Sequence, residues 1–486
     1  MTQTQDIYAR IKGYVRKFMD NFHITNKSNI GIFTKGYNKR REDYIPDLVD
    51  KIVSKHTREQ LSSIVVPEYS RAGYFEVTGD NLPTAYAIKT SLRNIRELIS
   101  PGSGNYKALG QKKSSEEALN ELVRQTFDGV YAQAYLSLHG GYTISGNSNK
   151  NDIKEYAFGN TVNLLAKVPD FIEWHRWNVF AHLKDPAVWS SDILNFSGAD
   201  YNKIEDLRFS DVINKALKES DTEVYTSFLN EHNLGSAYPL LLALVNKTYD
   251  GPKALLNHYI ANQLANPDKI FSDLLASPVY LMPTIIHEIN REKGFDAHPE
   301  ARVGWGNFFD HVRDIIGQTG VIGNYNSFLG TGIVLGGHTN KTKKRHPQLE
   351  DFISIGTDTA FFGPIHIGSY SRFGVHSYII GDIIFEGNNT IGNGVEICSY
   401  FPNNNGKSQG RPGKIRLGRN VSVGDGTTII NTAPEDLYIP SEFNIPTASY
   451  VVGEEGRPKI AYSNYEIKKT IEDIVKGLSD FNSKVN

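Results

Sequence analysis

The chain has 486 residues, of which 39% are hydrophobic and 22% charged, and its net charge is −2. That length allows more than one domain and a sizeable core, and that charge balance speaks against a nucleic-acid binder or a polybasic membrane protein. No run reaches the ~18 apolar residues of a membrane span, the opening MTQTQDIYARIKGYVRK lacks the apolar centre of a secretory signal, and the single cysteine, Cys398, excludes an intrachain disulfide framework.

A reducing, cytoplasmic location is the resulting expectation, with neither membrane nor nucleic acid as partner. Residues 1–83 are polar, basic at first (Lys27, Lys35, Lys39, Arg40, Arg41), and carry no recognisable chemistry. Residues 84–292 read as a helical domain. Ala87, Leu92, Ile95, Leu98 and Ile99 lie near helical spacing before Pro101-Gly102 stops the run, and Leu122, Val123, Phe127, Val130 and Tyr131 continue a second stripe. Further helices are predicted over 160–183, 221–232, 237–247, 253–264 and 281–292, with Trp174 and Trp177 as packing aromatics.

From 293 to 432 the period changes to six: Leu349, Ile355, Phe361, Ile367, Phe373, Ile379, Phe385, Ile391 and Ile397. One inward side chain at every sixth position is the step of a parallel β-helix, with three faces and about eighteen residues per coil. Glycine often follows, as in Ile355-Gly356, Ile367-Gly368 and Phe373-Gly374, where a corner with positive φ is expected. The series resumes at Leu417, Val423 and Ile429, and runs upstream through Val303 and Phe309 and then, shifted by one, Ile316, Ile322, Phe328 and Val334. Cys398 follows the ladder residue Ile397 and is expected to pack. Two polar loops interrupt the repeat, at 338–348 and 399–414. Residues 433–486 read as an extended segment (Pro440, Pro446, Pro458) and a helix with Ile467, Ile471, Ile474, Val475 and Leu478 on one face, suited to cap the last coil. The expected fold class is therefore α+β: a helical region, a parallel β-helix and a C-terminal capping segment.

Four short motifs stand in order on this scaffold: Asp296-Ala297-His298-Pro299, Asp310-His311, Leu335-Gly336-Gly337 and, past the basic loop, Arg345-His346-Pro347. Such groups suit attack by a hydroxyl on an activated carbonyl. Histidine is the base that works near neutrality, a carboxylate can orient it, and a planar guanidinium matches a substrate carboxylate. The ordered set resembles the serine O-acetyltransferases of the long-type branch of hexapeptide-repeat acyltransferases, whose pattern is D-I-H-P, D-H, L-G-G and R-H-P. The resemblance is tight over 281–380 and looser upstream, where it rests on Asp185-Pro186-Ala187 and on Ser91-Leu92-Arg93 through Pro101-Gly102.

This resemblance implies a left-handed β-helix, acetyl-CoA as cosubstrate, the hydroxyl of L-serine as acceptor (as in cysteine biosynthesis), and no resident metal. His311 would be the general base, Asp296 its orienting partner, and His346 the second catalytic histidine. Arg345 would take the acceptor carboxylate, Asp185 and Asp310 its ammonium, with Gln318 in the acceptor neighbourhood. Gly336, Gly337 and Gly356 would line the pantetheine arm, and Lys344 would meet the CoA phosphates. The family's two histidines come from opposite sides of an intersubunit groove, which implies a homotrimer or a dimer of trimers.

Departures from the pattern bear on the acceptor. Val312-Arg313-Asp314 replaces small residues after the Asp-His pair, and Gly317-Gln318-Thr319 replaces G-E-T. If the acceptor is not serine, the new cation Arg313 and the anion lost at Gln318 make the site about two charges more positive, which would favour a more acidic acceptor. The chain ends Val485-Asn486 where the family has an isoleucine, so a tight sulfhydrylase complex through the C-terminus is not expected. Three alternatives remain: transfer to another small hydroxylated acceptor, a γ-carbonic-anhydrase-like zinc hydrase using His311, His346 and one of His338, His366 or His376, and a non-catalytic β-helix scaffold.

Overall fold

The computed structural model describes residues 85–99, 122, 125–138, 150–185, 188, 209–235, 238–268, 276–338, 345–399, 413–454 and 456–462. Residues 1–83, Lys344 and the expected capping helix lie outside these. The chain divides into two units, Met1–Lys293 and Gly294–Asn486.

In the first unit, helices span Ala85–Ile99, residues 125–138, Lys150–Ala166, Val168–Ala181, Phe209–Glu219, Glu223–Glu231, Tyr238–Thr248, Asp250–Ala265 and Leu281–Arg291. Asp250–Ala265 is buried on nearly every side, as its run of Leu255, Leu256, Tyr259, Ile260 and Leu264 requires, and it forms the centre of the unit. Leu281–Arg291 packs on it with one face only, Met282, Ile286 and Ile289. Asn257 donates to Asn290 at 2.8 Å and Asn290 to the Ala254 carbonyl at 2.9 Å, so these buried amides tie the two helices together. The expected helix over 160–183 is two helices joined at Lys167, because Pro169 has no N–H to continue a ladder but suits a first turn. Phe209–Glu219 was not among the helices expected; among its described side chains Ile213, Ala216 and Leu217 are the buried ones.

The second unit is a parallel β-helix. Among the described residues the strands form one nine-stranded and two seven-stranded sheets, here A, B and C, visited in turn by every coil. The inward residues stack in register, Ile355 on Phe373 on Ile391 in sheet C, each eighteen positions after the last. Phe361, Ile367, Phe373, Ile379, Phe385 and Ile397 are all buried, each worth about 1.5–3 kcal/mol relative to exposure.

Three features differ from the sequence reading. Val334 faces outward and Leu335 fills the core, because the steps from Phe309 to Ile316 and from Phe328 to Leu335 are seven residues long. The extra residue lies in the turn between sheets C and A, where the first such turn carries His311. The corner glycines Gly356, Gly368 and Gly374 are needed for close approach, not for positive φ: a Cβ on Gly356 would lie 2.8 Å from the Gly374 carbonyl carbon. Positive φ falls further along each corner, at Phe352, Asp358, Tyr370, His376 and Asn388. Finally, the β-helix does not stop at 432. Leu437–Ile439, Asn444–Ile445 and Tyr450–Glu454 continue the three sheets in parallel, and Arg457–Tyr462 closes sheet A antiparallel. Pro440 and Pro446 follow the inward residues Ile439 and Ile445 where other coils use glycine, and so disguised another coil as extended wrapping.

Candidate active site

The candidate residues of the β-helix gather at two corners that bound sheet A. His311 and Asp310 lie in the turn from sheet C (Phe308–Phe309) to sheet A (Ile315–Ile316). Asp296 opens the sheet A strand one coil earlier, paired with Ile315, so it belongs to the same corner. His311 is exposed, and its Nε2 lies 3.9 Å from Oδ1 of Asp310. The other oxygen of Asp310 accepts the Gly330 N–H at 3.1 Å, which pins this carboxylate to the coil beneath. One face of Asp310 therefore holds the fold and the other faces the imidazole.

His346 sits at the opposite corner, between sheets A and B, where the 338–348 loop returns to the coil. It is buried, and its placement has a specific cause. A Cβ on Gly317 would overlap Cδ2 and Nε2 of the ring, and a Cβ on Gly337 would lie 3.0 Å from Nε2. Two glycines thus leave the slot that the imidazole fills. The Thr319 N–H donates to Nδ1 at 3.1 Å, with the Thr319 hydroxyl 2.8 Å away. Since Nδ1 accepts, the ring proton resides on Nε2. Burial, the Arg345 guanidinium and His298 hold the pKa of His346 below the usual imidazole range, so the ring is a neutral donor. Thr319 also anchors the loop, accepting the Arg345 N–H at 3.3 Å.

Gln318 does not stand alone. Its amide donates to Glu300 Oε2 at 2.9 Å, and the Glu300 N–H donates to His298 Nδ1 at 3.2 Å. A carboxylate is therefore retained beside position 318, supplied from the preceding coil. The expected gain of about two positive charges is thereby overstated: Glu300 offsets the loss at Gln318, and the case for an acidic acceptor weakens with it. Glu300, Thr319 and Gly317 were missed from the sequence. The signal available was a neutralised acid in one coil with an acid eighteen residues before it.

The remaining candidates are Asp185, Gly336, Gly337 and Gly356. Asp185 lies in the helical unit at the end of the short turn His182–Lys184, where it accepts the Tyr249 hydroxyl. Gly336 makes room for Phe362, whose ring carbons would lie 2.6 Å from a Cβ there. Gly337 is exposed, whereas Gly356 is buried and its N–H is engaged by the Phe373 carbonyl at 2.9 Å. Stacking of coils thus explains Gly356 without a ligand. His366 faces Glu350 at 3.2 Å and His376 faces Asp358 at 3.6 Å, carboxylates on the same prism surface. No helix of the described residues is long and apolar enough to cross a membrane.

No family model matches the chain. Curated relatives are serine acetyltransferases: that of Synechococcus elongatus is 31% identical over 137 residues, 28% of this chain and 52% of the relative. That of Haemophilus influenzae is 36% identical over 89 residues, 18% of this chain and 33% of the relative, and that of Bacillus subtilis 32% over 138 residues, 28% and 58%. The chain thus spans between a third and three fifths of the length of these relatives. Among solved structures, serine acetyltransferase isoform 3 of Entamoeba histolytica in complex with cysteine is matched over 72% of this chain and 95% of that one, at 19% identity and a TM-score of 0.38. Serine acetyltransferase of Neisseria gonorrhoeae is matched over 76% and 91%, at 17% identity and a TM-score of 0.29.

Proposed function

We propose, from the kinship of this chain's sequence with the serine acetyltransferases as a divergent relative, that it moves the acetyl group of acetyl-CoA to the hydroxyl of a small amino acid, serine first among them. The observation that carries this reading is His346, held neutral between Gly317 and Gly337 with its proton on Nε2, a donor set in place for a developing oxyanion. In this mechanism His311 takes the proton of the acceptor hydroxyl as its oxygen attacks the thioester carbon. Asp296 orients the imidazole by accepting its N–H. The tetrahedral oxyanion takes the His346 Nε2–H, collapse breaks the C–S bond, and the CoA thiolate leaves with the proton from His311. Arg345 grips the acceptor carboxylate, and Asp310 with Glu300 provides negative charge for its ammonium. Gly337, exposed beside His346, is where the pantetheine arm would pass.

The test is release of CoA thiol from acetyl-CoA with a panel of hydroxylated amino acids and small metabolites, using the full chain. Serine is expected to give the highest kcat/KM. A larger value for an acceptor with no ammonium group would overturn the serine assignment, and no release with any acceptor would overturn the transferase reading.

The same geometry supports an oligomer. His311 and His346 occupy opposite edges of sheet A, so two copies are needed to bring such corners together. The outer face of sheet A is mostly apolar, with Ile315 and Tyr378 45% and 44% exposed and Phe362, Ile380 and Ile430 half-buried, interrupted by Glu396 and Thr428. Sheet C instead turns out Ser327, Ser354, Arg372, Thr390 and Ser422. A cyclic trimer closed through sheet A would bury the apolar face and form three identical sites. Light scattering is expected to give the mass of three chains, or six; a monomer at micromolar concentration would remove the shared site.

A further inference from the structure

The corner that carries His311 holds a carboxyl with no role in the mechanism above. Asp314 occupies the inward position just before a sheet A strand. Of the later coils, four place Thr359, Ser377, Thr427 and Ser449 there and two place the apolar Ile333 and Val395. The hydroxyls of Thr359, Ser377 and Thr427 accept the N–H of Ser377, Val395 and Ser449 in the coil beneath. Asp314 does the same with Oδ1, accepting the Ile333 N–H at 3.0 Å. Each of those hydroxyls also donates to a backbone carbonyl, Thr359 to Gly374 at 2.8 Å, Ser377 to Gly392 at 3.0 Å and Thr427 to Pro446 at 3.0 Å, so a threonine satisfies this position without a charge.

Asp314 brings a second oxygen. The residue is 2% exposed, and its Oδ2 is buried without a hydrogen-bond partner. An ionised carboxylate with a bare oxygen in the core is strongly disfavoured, so the neutral acid is favoured. Burial, and then the Asp310 carboxylate, push Asp314 up to about 7. Within the β-helix the ionisable groups around this corner are few. Asp310 and His311 share its turn and Arg313 precedes it. Asp296 lies on the coil above, its N–H donating to the Asp314 carbonyl at 2.9 Å. The coil beneath presents Gly330, Gly332 and Ile333, none ionisable. The turn itself is held tightly, since a Cβ on Gly294 would clash with the Val312 carbonyl, and so a charge formed at Asp314 has little room to move away.

We propose that Asp314 is a positioning residue for the His311 base, coupling it to the ambient proton concentration through a proton held inside the corner. With Asp314 neutral, the corner carries the charges of Asp296, Asp310 and Arg313 alone. With Asp314 ionised, a further negative charge lies beneath Asp310 and His311 and strengthens the hold of the imidazole on its proton. A rise in pH then frees the base more gradually than an isolated histidine would allow. The role as base rests on the function proposed above; the coupling itself does not.

The experiment is NMR titration of the full chain labelled at histidine carbon, with the His311 signal identified by its loss in His311→Gln. Wild type is compared with Asp314→Thr, which keeps the capping oxygen used by the other coils, and with Asp314→Asn. In both variants the titration midpoint of His311 is expected about 0.3–0.6 pH unit lower than in wild type, the effect of one charge three residues away along the chain, at most about 10 Å, through an effective dielectric of 40–80 because the imidazole is exposed. Superimposable curves would overturn the proposal. Thermal melting supplies the second readout. A carboxyl whose folded pKa is raised is stabilised below its unfolded pKa and loses that stability as pH rises through the folded one. Wild type is therefore expected to fall in Tm relative to Asp314→Thr between about pH 4 and 7, and a constant difference would also overturn the proposal. The acid limb of the rate of CoA release should move with the NMR midpoint. A limb that stays in place while the midpoint moves would overturn His311 as base and leave the coupling standing.

Discussion

His311→Ala is expected to lower the rate of acetyl transfer by about 10²–10⁴-fold, the usual worth of a positioned general base. The reason is chemical. A serine-like hydroxyl is a very weak acid, and without a base at the moment of attack its oxygen must develop positive charge. The structure makes the experiment clean. The His311 side chain is exposed, and its backbone N–H to the Gly330 carbonyl, at 3.2 Å, survives substitution. Stability should therefore stay within about 0.5 kcal/mol, as for surface changes away from special features. The loss should fall on kcat more than on the KM for acetyl-CoA, because no binding group is removed. Asp296→Asn should cost less, since it loses orientation but keeps the base. Turnover near wild type in His311→Ala would end the assignment.

Gly317→Ala is expected to lower kcat by about 10²–10³-fold, comparable with removing one oxyanion-hole donor. The added methyl would overlap Cδ2 and Nε2 of His346, and the backbone cannot yield because the Gly317 N–H is bonded to the Leu335 carbonyl at 3.0 Å. The ring must swing out, breaking the contact from Thr319 that places its proton on Nε2. His346→Ala measured alongside is the reference: both should fall by similar factors, and the double variant by little more than either alone. Additive losses would mean that Gly317 acts by a route other than His346. A crystal structure of the variant with His346 unmoved would have the same force.

The repeat, the order of the motifs and most helices could be read from residues alone because each is a local regularity. An inward side chain at every sixth position admits few folds, and the ladder from Leu349 to Ile397 is buried as that period requires. His311, His346, Asp296 and Arg345 were legible as candidates because their motifs keep order and neighbours. The last coil was missed because Pro440 and Pro446 replaced the corner glycines and a longer turn broke the period.

What only the tertiary structure decided depends on contacts between coils, eighteen or more positions apart. The offset of Leu335 from Val334 came from the seven-residue step after Phe328, one coil beyond the His311 corner. The tautomer of His346 depends on Thr319, 27 residues away. The carboxylate missing at Gln318 returns at Glu300, 18 residues before it. The burial of Asp314 follows from an inward position that Thr or Ser fills in four later coils and Ile or Val in two. A six-residue period states which side chains turn inward, since that is fixed by the backbone step. It says nothing of which neighbours a corner side chain meets, because those are set by the turn lengths accumulated over a whole coil. Fold class therefore resided in the periodicity, while protonation, charge balance and the separation of the two histidines arose from the stacking of coils.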